Sequence, residues 1–289
     1  MSDALLPPAC QLADEAALQD WDDAYDNGGH IPDAAAHVAM WPRLAAQFRD
    51  ALGERARLNL PYPGPLGDPE REAFDLFLPA GRPQGLAVFV HGGYWMKFGR
   101  ETWSHLAAGA VASGWAVALP SYTLAPGARI SRITAQIAAF LPAAAAEIAG
   151  PIALAGHSAG GHLVSRMLCE DVSLPAEMAA RIARVVSISG LHDLRPLLAT
   201  KMNQGLRLDA DEAAAESAAL LAPCEGARLI AWVGGAERPE FLRQSRLIAA
   251  AWGGRAQTRF VADPKKHHFD VVAPLAEARS PLTRSLLDW

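Results

Sequence analysis

Cysteine is scarce in this chain, with three in 289 residues: Cys10, Cys169 and Cys224. They are odd in number and widely spaced, which excludes a disulfide framework, and no CxxC pair or Cys/His cluster suggests a zinc site. Positive charge is also in short supply, and the formal net charge is -5. That balance argues against nucleic acid or an anionic membrane surface as a partner. Long apolar runs are missing too. The most apolar stretch, 137–155, is broken by Pro142, Glu147 and Pro151 and does not read as a membrane span. The opening MSDALLPPACQLADEAALQDWDD has neither a basic start nor an apolar core of signal-peptide length. A reduced, cytoplasmic protein is expected, with no membrane and no nucleic acid among its partners.

What is present is ample apolar material, 51% of the chain, and a strand–helix rhythm. Residues 1–55 are helical in flavour, with Leu12, Ala16, Ala17 and Trp21, then Met40, Leu44 and Phe48, at helical spacing. PYPGPLGDP at 61–69 is a loop of breakers, and 72–78 alternates as a strand does. From Gly85 onward short apolar runs at 86–90, 115–119, 152–155, 185–188, 229–233 and 259–261 alternate with helical stretches. Those stretches fall near 101–113, 131–148, 159–170, 210–221 and 238–252. Continuous apolar strands joined by long crossovers predict a mostly parallel sheet with helices on both faces, within one domain spanning 1–289.

Gly156-His157-Ser158-Ala159-Gly160 stands between the run 152–155 and a helical stretch. This is the strand–turn–helix setting of a nucleophile elbow, in which small flanking residues let a serine occupy a strained, exposed turn. Ser158 is the expected nucleophile. His157 is expected to point away along the elbow, and His162 and Cys169 to be structural. His91-Gly92-Gly93-Tyr94-Trp95 ends the run 86–90 where an oxyanion loop belongs. Gly92 and Gly93 allow close backbone approach, and the N–H groups of Gly93, Tyr94 and Ala159 are the expected donors. Each such donor is worth roughly 2.7–4 kcal/mol in a transition state. His91 is read as ordering the loop.

An acid and a base should follow at the ends of later strands, in that order. Glu237 follows 229–233 and is the expected acid. Asp193, one strand too early, is read as a helix cap, and Glu240 as a first-turn acid favoured by the helix dipole. Either His267 or His268 serves as base, and position alone leaves both open.

The HGGYW loop, the GHSAGGHL elbow, SGLHDLRPL, GGAERPEFLRQS, the final HFD and YDNGGHIPD near the start resemble the kynurenine formamidase (arylformamidase) group of α/β-hydrolases. The resemblance spans most of the chain. It implies an α/β-hydrolase fold with an eight-stranded sheet and a Ser158–Glu237–His268 triad, the HFD match selecting His268. Where the group often carries Asp, this chain has Glu237. The resemblance also implies that the N-terminal helical segment 1–55 and a lid at 195–222 cover the pocket. Trp21, Tyr25, Trp41, Tyr94 and Trp95 are then candidate aromatic walls. The implied substrate is a small aryl amide or ester, foremost an N-formyl arylamine. A carboxylesterase, aryl-amidase or carbamate hydrolase is the alternative, and a non-catalytic binding module a remote one. No metal or organic cofactor is required. Assembly is left open, a homodimer included.

Overall fold

The structure, a computed structural model, describes residues 20–288. Eight strands form one sheet: β1 (Ala56–Pro61), β2 (Ala73–Phe77), β3 (Leu86–Val90), β4 (Ala116–Pro120), β5 (Ile152–His157), β6 (Ile182–Ile188), β7 (Arg228–Gly234) and β8 (Gln257–Asp263). Their order is β1-β2-β4-β3-β5-β6-β7-β8. β2 runs antiparallel to both neighbours, and every pairing from β4 through β8 is parallel. This is the sheet of an α/β-hydrolase, and the mostly parallel eight-stranded expectation holds.

The apolar runs are explained by burial on both faces. Along β3, Leu86, Val88 and Val90 join one core while Ala87 and Phe89 join the other. The first core packs Ile133, Ile137 and Phe140 of the helix Ile130–Glu147, Leu163 of Ala159–Arg166, and Phe241 and Ile248 of Pro239–Trp252. The second packs Trp41 and Leu52 of Ala34–Leu52, Trp103, and Leu282 and Leu286 of Pro281–Leu287. Each fully buried Leu, Ile or Phe contributes about 1.5–3 kcal/mol by leaving water. With helices on both faces, the strand ends are the open place, and the loops after β3, β5, β7 and β8 share one end of the sheet.

Three regions differ from the sequence expectation. The helix expected near 101–113 is two 3-10 turns, Arg100–Thr102 and Ser104–Ala107, followed by the short helix Ala108–Ala112. β1 forms where the sequence pattern assigns no element. It is an edge strand whose residues are mostly exposed, and Asn59 takes a positive φ of 58° where its register with β2 shifts. The single helix expected over 210–221 is split into Ala210–Ala215 and a 3-10 turn, Ala218–Leu220. Between them the Ser217 hydroxyl donates to Ala213 O at 2.6 Å and accepts from Leu194 N at 2.8 Å, anchoring the break. Of the N-terminal helical expectation, Trp21–Tyr25 and Ala34–Leu52 are helices. Leu12, Ala16 and Ala17 lie outside the described residues. No helix of the described residues is long and apolar enough to cross a membrane.

Candidate active site

Ser158 sits between the last residue of β5 and the helix Ala159–Arg166, with φ 56° and ψ -118°. A non-glycine residue held there stores about 1–3 kcal/mol of strain. The surroundings enforce it: Ser158 N donates to Ile188 O on β6 at 2.8 Å. Side chains at 156 and 160 are excluded, because a Cβ on either would run into Gly160 O or Val90 O. The serine is 4% exposed, so only a small opening reaches it.

The loop after β3 wraps over this turn. Gly92 lies so close that an added Cβ would stand 2.9 Å from Ser158 Cβ. Gly93, Tyr94 and Trp95 all have positive φ, and Gly93 O accepts from Met96 N and Lys97 N, both at 2.9 Å. This tight turn leaves the N–H groups of Gly93 and Tyr94 with no acceptor among the described residues, and that of Ala159, in the first helical turn, likewise. His91 braces the loop from behind. Its Nδ1–H donates to Gly92 O at 2.7 Å, and its ring stacks on Tyr122 at 4.4 Å. Tyr94 Oη–H donates to Tyr25 O at 3.0 Å, tying the loop to the helix Trp21–Tyr25.

Glu237 and His268 come from the loops after β7 and β8 and meet: His268 Nδ1 lies 2.6 Å from Glu237 Oε2. The glutamate side chain is fully buried, and its other oxygen accepts from Gly234 N at 2.7 Å and Ser189 Oγ at 2.5 Å. These donors fix the direction of the carboxylate. The His268 ring lies between Phe241 and His157, with centroids 4.4 and 4.6 Å away. His267 turns elsewhere. Its Nδ1 accepts from Phe269 N and its ring stands edge-on to His37. Asp193 chelates Arg195 and accepts its N–H, while Glu240 binds Tyr25, Arg243 and Gln244. Neither is hydrogen-bonded to a histidine.

Ser158 and His268 line one cavity of about 240 Å³, with Val38, Trp41, Gly93, Tyr94, Lys97, Phe98, Trp103, His157 and Phe269. Of the expected aromatic walls, Trp41 and Tyr94 are therefore in place. Trp21, Tyr25 and Trp95 are not among the lining residues. Trp95 is fully buried, edge-on to His162, and Tyr25 stacks on Trp21 with its hydroxyl on Glu240. The segment 195–222 supplies no lining residue among the described residues, whereas Val38 and Trp41 of Ala34–Leu52 do line the cavity. His157 departs from its expected orientation. It lines the cavity, and its Nε2–H donates to His268 O at 2.9 Å. Phe98, Trp103 and Phe269 were not singled out from sequence. Phe269 alone carried a signal, as the neighbour of His268. Among the described residues no group of His, Cys, Asp and Glu could hold a metal ion.

Five histidines of the fold are held below the ordinary histidine value by burial, one of them, His157, in the cavity lining. Burial pushes His91 and His105 down to about 4 and His162 and His192 to about 3. Burial, and secondarily the neighbouring His268, holds His157 well below the ordinary histidine value. In the unfolded chain each titrates near 6.5, so below that pH the unfolded state takes up protons that the folded state refuses. Stability is full above about pH 6.5 and falls as pH drops toward 3–4, with each histidine adding up to about 1.4 kcal/mol per pH unit. Urea midpoints at pH 7.5, 6.0 and 5.0 should decline in that order. A flat series would mean that these rings are hydrated and charged.

Sheet order, elbow and buried acid–imidazole pair define an α/β hydrolase. Residues 87–288 match the alpha/beta hydrolase family, and the chain belongs to it. It is a hydrolase of the serine type. The chain is similar to the kynurenine formamidase of Salmo salar, 28% identical over 252 residues, which cover 81% of this chain and 84% of that protein. The Danio rerio kynurenine formamidase is 27% identical over 251 residues, with the same coverage. Among solved structures, a protein of Silicibacter sp. TM1040 described as a candidate thioesterase is 53% identical. It superposes with a TM-score of 0.88 over 93% of this chain and 99% of that one. An esterase of Pyrobaculum calidifontis, 17% identical with a TM-score of 0.66 over 88% and 92% of the two chains, shares the fold.

Proposed function

We propose that this chain is an arylformamidase that removes a formyl group from an aromatic amine through an acyl-enzyme, with N-formylkynurenine as the leading substrate. The observation that carries this reading is the cavity. Trp41, Phe98, Trp103 and Phe269 pack ring against ring along an apolar space that the buried Ser158 also lines. About 240 Å³ accommodates an aryl group beside a small acyl group. Similarity to the kynurenine formamidases supports the same substrate class.

Ser158 Oγ attacks the formyl carbon while His268 Nε2 takes its proton. The Nδ1–H of the same ring donates to Glu237, which stabilises the imidazolium that forms. Negative charge on the carbonyl oxygen is met by the amides of Gly93, Tyr94 and Ala159. His268 then hands its proton to the departing arylamine nitrogen. Water, deprotonated by the same imidazole, releases formate from Ser158.

A thioester or carboxylester substrate is the second reading, favoured by the candidate thioesterase at 53% identity. The two are separated by kcat/KM on N-formylkynurenine, phenyl acetate and S-phenyl thioacetate, measured side by side. The formamide is expected to lead. If the thioester or ester exceeds it by tenfold or more, the amidase assignment is wrong and the hydrolase assignment survives.

A further inference from the structure

We infer that Lys97 selects substrates bearing a carboxylate, so that the preferred substrate is an acylated arene with an anionic arm pointing out of the cavity. This rests on the hydrolase reading above. Eleven residues line the cavity, and Lys97 is the one with a fixed charge. The lining holds no carboxylate, and His157 is neutral. Ser158, His157, His268, Trp41 and Trp103 are buried, whereas Val38 and Lys97 are exposed and mark the rim.

The Lys97 ammonium forms no ion pair or hydrogen bond among the described residues, whereas Lys201 and Lys266 lie beside Asp22 and Asp270. An unpaired cation beside an apolar opening, on a chain of net charge -5, draws an anion to that point and to no other part of the lining. Its backbone is placed as firmly as the catalytic loop. Lys97 N donates to Gly93 O, and Lys97 O packs against Gly93 so closely that a side chain there has no room. The backbone that carries the cation is therefore held in register with the amides that would receive the reacting oxygen. An arene in this cavity, acyl group toward Ser158, would direct a ring substituent or side-chain carboxylate toward this rim. A neutral arene would gain nothing from it.

The test uses two matched pairs. One is formanilide against its ortho-, meta- and para-carboxylated forms; the other is phenyl acetate against its carboxylated forms. In the wild-type protein at least one carboxylated isomer should exceed its neutral parent in kcat/KM, through a lower KM, and the advantage should shrink as salt rises. Lys97→Gln should reduce the carboxylated-to-neutral ratio about five-fold, the scale of one partly exposed ion pair. Lys97→Arg should keep the ratio, and Lys97→Glu should lower it further. No wild-type preference, or a ratio unmoved by Lys97→Gln, overturns the inference while leaving the hydrolase assignment standing. A Lys97-dependent ratio confined to the esters upholds the anion preference and removes the formamidase reading. Hydrolysis of neither pair removes both.

Discussion

Replacing Ser158 with alanine should lower kcat by about 10⁶-fold, the scale on which a serine nucleophile acts together with its base. Labelling by a fluorophosphonate should vanish with it. The fold should survive, for a specific reason. Ser158 occupies the N-cap position of the helix Ala159–Arg166, yet its side chain makes no capping hydrogen bond. What holds the strained turn is backbone and glycine: Ser158 N on Ile188 O, and the absence of side chains at 156 and 160. Alanine inherits all of that, so the unfolding free energy from urea titration should stay within about 1 kcal/mol of wild type. His268→Ala should approach the same loss of activity, while His267→Ala should stay near wild type because that ring faces His37 and Asp270. A Ser158→Ala protein that still turned over substrate near the wild-type rate would take the hydroxyl out of the chemistry.

The residues that build this site differ in how clearly the sequence marks them. β3 is legible to the residue, because a strand buried on both faces must be apolar throughout and Leu86–Val90 is. The elbow is legible because its glycines answer a steric demand that no other residue meets. β1 left no trace, since an exposed edge strand has no face that must be apolar, and Asn59 interrupts its alternation. The aromatic lining was only partly readable. Trp41 and Trp95 look alike in sequence. Trp41 projects from Ala34–Leu52 into the cavity, while Trp95 is carried by a positive-φ turn into the core against His162. Such a difference is set by long-range packing, which no local pattern encodes. Ser189, which completes the hydrogen bonding of Glu237, was equally silent, because its φ of 51° at the end of β6 is what aims its hydroxyl.

Glu237→Gln should cost about 10⁴ in kcat with little change in KM, and the geometry says why. Glu237 Oε1 accepts from Gly234 N–H, a group that can only donate. A glutamine in this place must therefore turn its carbonyl oxygen toward Gly234 and Ser189, leaving its amide N–H₂ facing His268 Nδ1. That forces Nδ1 to accept and moves the imidazole proton to Nε2. The ring then presents N–H where it should take the proton of Ser158, the tautomer error known to disable Ser–His–acid systems on this scale. The alternative rotation, with N–H₂ against Gly234 N–H, buries two donors face to face and costs about 1–3 kcal/mol for the unmet groups. Glu237→Asp keeps the charge but shortens the reach between Gly234 and His268, so it should retain more activity than Glu237→Gln. The pair of variants separates charge from reach. Equal activity in Glu237→Gln and wild type would show that His268 is oriented by its packing between Phe241 and His157 and by the His157 hydrogen bond to its carbonyl, with the carboxylate a bystander.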